Sequence, residues 1–476
     1  MDKNLNELMG NYARAMGTQN WNDVMVWATE ILKIDDKLAH VWGNRAVALS
    51  NLGFPLDAVL NVDRALALEQ EAKHLSNKGC YYWDMGDDNK ALTYLHEAAD
   101  MEPLAQTYLT IGNIHKTRGD LTRATKEYRQ CVALEPNYAD GHMVLGMALL
   151  KQGNLQEGWK EYEWRWKTSQ LPERKLKCPQ WKGQDLTGKT ILVYGEQGLG
   201  DIVQFSRYAR QLANLFPRAK VIIEGRPQLK RLLATMPDIY AVINAGDKLP
   251  ELDYAIPMIT LAGMLTASIN FIRADDRQFF LHPTDVENWS ERVKELPEGL
   301  KVGVCWSGML RSDHPSAAAV DRLRSTELAT FAPLARIPGI TWISLQKGAP
   351  AEQIKEPPKG MVIADMTNDL VDFYDTACLM ANCDLVISVD TAVLHVAASV
   401  GVPTWLLSRW DGCWRWFGDK REDSPWYPTL RQFSQPALHD WPNLMSRVAM
   451  ELKDFIRQSK LDLTNDLSYL PDHSEP

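Results

Sequence analysis

Asp390, Thr391 and His395 lie in the stretch DLVISVDTAVLHVAASVGVPTW, Asp384 to Trp405, and their types and spacing suit the binding of an anion. Leu385 to Val389 is a short apolar run rich in β-branched residues, which reads as a strand buried on both faces of a parallel sheet. Ala392 to Val400 has the small-residue, apolar pattern of a helix packed closely on that sheet. Thr391 then stands as the helix N-cap, with His395 one turn further along the same face. A helix start just past the carboxyl end of a parallel strand presents unpaired N–H groups and the positive end of the helix dipole, which suits a diphosphate. An ordinary capped strand-turn-helix with a surface histidine is the plainer alternative.

Other strands end in similar turns. KVGVCWSG, Lys301 to Gly308, reaches Ser307 and Gly308, and TWISLQKG, Thr341 to Gly348, reaches Gln346, Lys347 and Gly348. MVIADM, Met361 to Met366, is a further strand, and Phe373 to Ala381 is a helix. Open α/β sheets bind ligands at the edge where such strands end. Between the first two strands, His314 to Ser325 reads as a loop and Thr326 to Leu334 as a helix. Arg322 and Arg324 in that loop could reach a phosphate bidentately, a solvated arginine pair being the alternative.

Alternation of strand and helix begins earlier, at Thr190. Ile191 to Tyr194 is a strand, GEQGLGD (Gly195 to Asp201) a glycine-rich turn, and Ile202 to Leu215 a helix. Val221 to Glu224, Ala241 to Ile243 and Tyr254 to Pro257 read as strands and Gln228 to Thr235 as a helix, so a doubly wound parallel sheet is expected. GEQGLGD has neither GxGxxG spacing nor a closing Gly-Lys-Ser/Thr, which argues against a dinucleotide or P-loop site. Its glycines let the loop pass close to another group and set Asp201 at a helix start, where a carboxylate is electrostatically favoured. Helix capping alone would also explain Asp201.

The N-terminal part is repetitive. Segments beginning at Trp42, Tyr108 and Met143 superimpose at a period of about 34 residues, with Gly53, Gly86, Gly119 and Gly153 at the turn between two helices. Ala58, Ala91, Ala124 and Gly158 follow as the small residues that let the second helix approach the first. This pattern resembles the tetratricopeptide repeat over about residues 5 to 168, with a degenerate first unit around Trp21 to Asp35. Such arrays form a curved solenoid whose concave face binds peptide or protein; a helical spacer or dimerisation element is the alternative. SQLPERKLKCPQWKGQDLTGK then breaks the pattern and reads as a linker packed on the next domain by Trp181.

Composition bounds the partners. The 476 residues carry a net charge of −9, which provides no global basic field for nucleic acid or anionic lipid. The seven cysteines are scattered without zinc-site spacing and read as reduced, mostly buried thiols. The sequence shows neither a signal-peptide pattern nor an apolar run of about 18 residues, so a cytoplasmic chain without membrane insertion is expected. The seventeen tryptophans crowd at Trp159 to Trp181 and Trp405 to Trp426, the latter in a loop (SRWDGCWRWFGDKREDSPWYPT) that reads as a packed lid or a lining for a flat ligand.

Two successive α/β halves with an anion site on the second resemble the GT-B arrangement of glycosyltransferases. GEQGLGDIVQFSRYARQLA, VGVCWSG, the Arg-Ser at Arg324, SLQKG, Asp375 to Ala377, DLVISVDTAVLHVAASVGVPTWLL and WRWFGDKREDSPWYP are similar to bacterial tetratricopeptide-repeat glycosyltransferases related to heptosyltransferases, glycosyltransferase family nine. That resemblance implies an α-solenoid (1–170), a linker (171–189), an acceptor-side Rossmann-like half (190–295), a nucleotide-sugar-side half (296–440), a C-terminal helix (441–458) and a tail (459–476).

The resemblance also implies roles. Asp201 would be the general base, on an acceptor-side loop with Gly198, Gly200 and Gln204. Asp390, Thr391, Ala392 and His395 would hold the donor diphosphate, and Ser307, Gly308, Arg324, Gln346, Lys347 and Gly348 would serve phosphate, ribose or base. Met309, Leu310 and Ala317 to Ala319 depart from the polar, basic stretch usual after Ser307-Gly308, and no lysine stands between Lys301 and Lys347. The implied activity is an inverting glycosyl transfer from a nucleotide sugar, with no metal and no cofactor, to a protein or peptide recruited by the solenoid. A non-catalytic scaffold, and a transferase acting on a glycan, lipid or nucleic-acid precursor, remain alternatives, and the chain could self-associate.

Overall fold

The computed structural model describes residues 3–168, 171, 174–311, 315–418 and 421–467. The chain divides into two compact units, Met1–Gln152 with Lys160–Glu173, and Gly153–Trp159 with Arg174–Pro476.

The first unit is built of antiparallel helix pairs. Lys3–Gly17 pairs with Trp21–Ile34, Ala39–Asn51 with Pro55–Leu68, Ala72–Asp84 with Asp88–Met101, and Ala105–Thr117 with Leu121–Leu134, before Ala139–Lys151. Gly53, Gly86, Gly119 and Gly153 all take φ between +79° and +88°, the left-handed conformation that ends one helix and starts the next. Asn20, Asp87 and Asp120 each accept the N–H three residues on and so cap the second helices. Ala58, Ala91 and Ala124 are fully buried where the paired helices meet. At Gly146 the approach is so close that a β-carbon would lie 2.6 Å from the Tyr162 backbone nitrogen.

The degenerate first pair has a physical mark. Gln19 occupies the turn position held elsewhere by glycine, and it is forced to φ +53°. A non-glycine residue there carries roughly 1 kcal/mol of backbone strain. Gln19→Gly is therefore expected to stabilise the first helix pair by up to about 0.5 kcal/mol after the extra chain entropy of glycine is counted. Slower amide exchange in Lys3–Ile34 would show it; unchanged or faster exchange would contradict it.

The second unit contains two parallel sheets. Strands β1 (Thr190–Tyr194), β2 (Lys220–Gly225), β3 (Ala241–Asn244) and β4 (Tyr254–Pro257) form one, in the order β3-β2-β1-β4. Strands β5 (Leu300–Cys305), β6 (Ile340–Ser344), β7 (Ile363–Asp365), β8 (Leu385–Val389), β9 (Thr404–Ser408) and β10 (Leu430–Ser434) form the other, in the order β10-β9-β8-β5-β6-β7. All five residues of β8 are buried, as its β-branched run requires. The Trp441–Leu467 helix packs Leu444, Met445, Val448 and Leu452 into the core of the second sheet with Val302, Ile387 and Leu407. Ahead of β1, Gln180 bridges to Ala255 and Trp181 is buried against Phe216, so the expected linker lies along the first sheet. Among the described residues no helix is long and apolar enough to cross a membrane.

Several expectations need correction. The helix expected over Ile202–Leu215 begins at Leu199 and breaks at Ser206 into Leu199–Phe205 and Arg207–Leu215. The Ser206 hydroxyl donates back to the Val203 carbonyl at 3.1 Å, an arrangement that bends helices. Pro315–Arg324, expected as loop, is a helix, whereas Thr326–Leu334 yields only a 3-10 turn (Leu328–Phe331) and Ala332–Ala335. His314 lies outside the described residues. Gln228–Thr235 likewise shortens to Pro227–Leu229 and Lys230–Leu233. The C-terminal helix continues past 458 to Leu467, so only 468–476 of the expected tail is left, outside the described residues. Strand β10 was not anticipated. Gly153–Trp159 clusters with the second unit, where Trp159 donates to the Thr266 carbonyl at 3.0 Å and packs against Phe205 and Trp414.

Candidate active site

Strands β8, β5 and β6 are neighbours, so the turns after Val389, Cys305 and Ser344 lie side by side at one sheet edge. Gln346 is the clamp between two of them. Its side-chain oxygen accepts the N–H groups of Trp306 (3.1 Å) and Ser307 (2.8 Å), and its amide donates to the Ser307 and Lys347 carbonyls at 3.0 Å. With these bonds made, Gln346 positions the Ser307 turn. Lys347 donates to the Leu370 carbonyl at 2.6 Å, and Gly348 turns the chain at φ +78°. A groove of about 550 Å³ opens beside these two, lined also by Ile354, Asp365, Thr367 and Asn368.

Arg324 reaches the start of the next turn. It donates to the Asp390 carbonyl at 3.1 Å and pairs with Asp321 at 2.8 Å, while its Nε is buried without a hydrogen-bond partner among the described residues. Gly308 lies against that guanidinium; a β-carbon there would come within 2.9 Å of it. Asp321 is almost fully buried and also holds Arg311. Burial pushes its carboxyl up, but the bonds from Arg311 and the charge of Arg324 outweigh that and keep it below the usual range. Arg322 is exposed, so only one of the two arginines faces this site.

The opening turn is less conventional than its sequence implies. Thr391 sits at the N-cap in extended backbone, yet its hydroxyl makes no capping bond and faces Ser388 Oγ (3.2 Å) and Cys305 Sγ (3.9 Å). The start of the Ala392–Ser399 helix thus has no side-chain cap. His395 is buried, against the surface alternative. Its Nδ1 lies 3.0 Å from the Tyr427 hydroxyl, its Nε2 lies 3.8 Å from Asp390 Oδ1, and its ring stacks on Trp416. Burial pushes its pKa down to about 4, against the pull of Asp390 and Asp201, so the imidazole is neutral at neutral pH.

Asp201 comes from the first sheet's side of the same site. It reaches back to accept the Gly198 N–H at 2.8 Å, which sets it in the first turn of the Leu199–Phe205 helix. Its other oxygen is held by Arg415, whose guanidinium also contacts Gln197 Oε1 (3.3 Å) and lies over the Trp414 ring. Gln197 takes φ +61°, a strained conformation beside a candidate catalytic group. Gly200 explains how the two halves close. A β-carbon there would lie 2.8 Å from the His395 ring and 3.5 Å from Ala392 Cα. The ring is wedged between Trp416 and Tyr427 and has nowhere to go. Gly200→Ala is therefore expected to destabilise this unit by about 1–3 kcal/mol, seen as a lower thermal midpoint; an unchanged midpoint would contradict the contact. Gln204, one turn beyond Asp201, is fully buried with both side-chain polar atoms unpartnered among the described residues. Near the same loop, Gly195, Ile202, Glu224 and Arg226 line a cavity of about 400 Å³.

Of the two alternatives for the tryptophan-rich segment, a packed lid or a lining for a flat ligand, the burial of its rings agrees with packing. Trp414, Trp416, Phe417, Trp426 and Tyr427 are all buried. Trp416 donates to Asp390 Oδ2 at 3.1 Å, Trp426 donates to the Arg415 carbonyl at 2.6 Å, and Phe205 packs against both Trp414 and Trp426. Arg207 donates to the Trp426 carbonyl and lies over the Tyr427 ring. This segment therefore joins the helix of Asp201 to the turn of Asp390. Arg415, Trp416 and Tyr427 carry roles that sequence reading did not assign, although WRWFGDKREDSPWYP marks their segment.

Residues 370–407 match glycosyltransferase family 9 (heptosyltransferase), and residues 75–103 and 105–138 match the tetratricopeptide repeat. Protein FlbA of Caulobacter vibrioides is 26% identical over 450 residues, spanning 87% of this chain and 72% of FlbA. The ADP-heptose LPS heptosyltransferase II of E. coli aligns over 57% of this chain and 99% of its own, at 15% identity and a TM-score of 0.43. A family 9 glycosyl transferase of Veillonella parvula aligns over 53% and 87%, at 12% identity and a TM-score of 0.41. The chain thus joins an array of helix pairs, part of which is similar to the tetratricopeptide repeat, to two parallel-sheet halves, the second of which holds the stretch similar to glycosyltransferase family 9.

Proposed function

We propose that this chain transfers a sugar from a nucleotide-sugar donor to an acceptor held by the repeat array, with inversion at the anomeric carbon and without metal or cofactor. One observation carries the reading: Asp201, from the first half, stands beside the uncapped helix start at Asp390–His395 in the second. The acceptor hydroxyl gives its proton to the Asp201 carboxylate as its oxygen bonds to the anomeric carbon. The bond from that carbon to the phosphate oxygen breaks, and its electron pair leaves with the nucleoside diphosphate. The helix-start N–H groups and Arg324 stabilise the departing charge, the work a metal would otherwise do. Ser307 and Gly308 flank the diphosphate, with Gln346 fixing their turn, and the groove beside Lys347 and Gly348 takes the nucleoside.

The acceptor is a protein or peptide bound on the solenoid. Free cysteines fit a reducing cytoplasm. One observation favours a second reading, a scaffold without turnover: Asp201 is engaged by Arg415. Incubating the full chain with a panel of nucleotide sugars and proteins captured by residues 1–168 distinguishes them. Release of nucleoside diphosphate with a sugar adduct on the captured protein supports transfer; no release from any donor supports the scaffold.

A further inference from the structure

Arg415 has two claimants. Its side chain is 10% exposed and that of Asp201 is 17% exposed, so their ion pair is largely shielded from water. The next residue, Trp416, is anchored to Asp390 and His395, so consecutive residues of one segment touch the candidate base and the candidate diphosphate grip. The backbone on both sides is strained: Phe417 takes φ +55° and Gln197, which also contacts Arg415, takes φ +61°. Arg324, the other arginine at the grip, is held by Asp321 and the Asp390 carbonyl, whereas Arg415 pairs with the candidate base itself.

We propose that Arg415 is a diphosphate-binding residue held in reserve by Asp201, so that arrival of the donor releases the base. This rests on the glycosyl-transfer reading above. A guanidinium matches a diphosphate bidentately and prefers its greater charge. As Arg415 moves to the phosphates, the Asp201 oxygen it held is left open to the acceptor hydroxyl and can take its proton. The device makes the reaction ordered, donor before acceptor proton, and keeps the base occupied in the empty enzyme.

The test is the affinity of ADP, GDP, UDP, CDP and dTDP for the full chain, measured by titration calorimetry for wild type, Asp201→Asn, Arg415→Gln and the double variant. Each variant is first required to show the wild-type near-ultraviolet circular dichroism, with Asp201→Ser and Arg415→Lys as replacements for any that do not. Asp201→Asn removes the carboxylate that holds Arg415 and should tighten the preferred nucleotide by about tenfold, whereas Arg415→Gln should weaken it by a similar factor. In the Arg415→Gln background the Asp201 substitution should then have no effect. If the wild type binds a nucleotide but Asp201→Asn leaves its affinity unchanged or lower, the exchange is overturned and the transfer reading stands. If no nucleotide binds the wild type, both fall together.

Discussion

Asp201→Asn is expected to lower glycosyl transfer by about 10²–10⁴-fold, the range lost when a positioned general base is removed. Asparagine is nearly isosteric, and its oxygen can still accept the Gly198 N–H that seats the helix start. What it cannot do is take a proton from an acceptor hydroxyl. Loss of charge opposite Arg415 will weaken the contact between the halves. With the asparagine oxygen kept at Gly198, the amide NH2 faces Arg415 and the guanidinium keeps Gln197 Oε1 as an acceptor, so a moderate loss of stability is expected and not unfolding. Turnover should therefore be compared at a temperature where both proteins are fully folded by circular dichroism. Nucleotide binding that persists while turnover collapses would identify Asp201 as acting on the chemical step. Turnover at the wild-type rate would remove Asp201 from the mechanism.

Acid should destabilise the second unit through His395. A histidine in the unfolded chain takes a proton near pH 6.5, whereas burial holds folded His395 neutral down to about pH 4. Between those values the unfolded state binds more protons. Stability is thus complete above about pH 6.5 and falls as the pH drops towards 4, by about 3 kcal/mol in all. His395→Asn removes the titrating group while keeping a polar side chain next to Tyr427. Its thermal midpoint should fall less than the wild type's between neutral pH and about pH 4.5. His74 and His115 are also pushed down by burial, but they are common to both proteins and cancel in the comparison. Equal acid sensitivity in the two proteins would sink the assignment.

Much of the architecture was legible because it is local. The repeat glycines announce left-handed turns, and Ala58, Ala91 and Ala124 announce close helix pairs, through constraints that act within a few residues. The β-branched run of β8 and the small residues after it state a buried strand and a close-packed helix in the same way. Where elements were misread, a tertiary contact had outweighed local preference. Pro315–Arg324 forms a helix that delivers Asp321 and Arg324 to the site, and Leu430–Ser434 becomes a strand because β9 offers it an edge.

The candidate site divides along the same line. By itself the sequence determined that the chain repeats, that strands and helices alternate after Thr190, and that Asp390, Thr391 and Asp201 stand at helix starts, since periodicity and capping chemistry are written in neighbouring residues. Only the tertiary structure decided that Arg415 meets Asp201 across 214 positions of chain, that Trp416 holds Asp390, and that Gln346 serves the Ser307 turn. The first follows from how two sheets close against each other, the others from which strand ends and segments the second sheet brings side by side. That closure is set by the summed packing of Gly200, His395 and the buried tryptophans, which no short stretch of sequence contains.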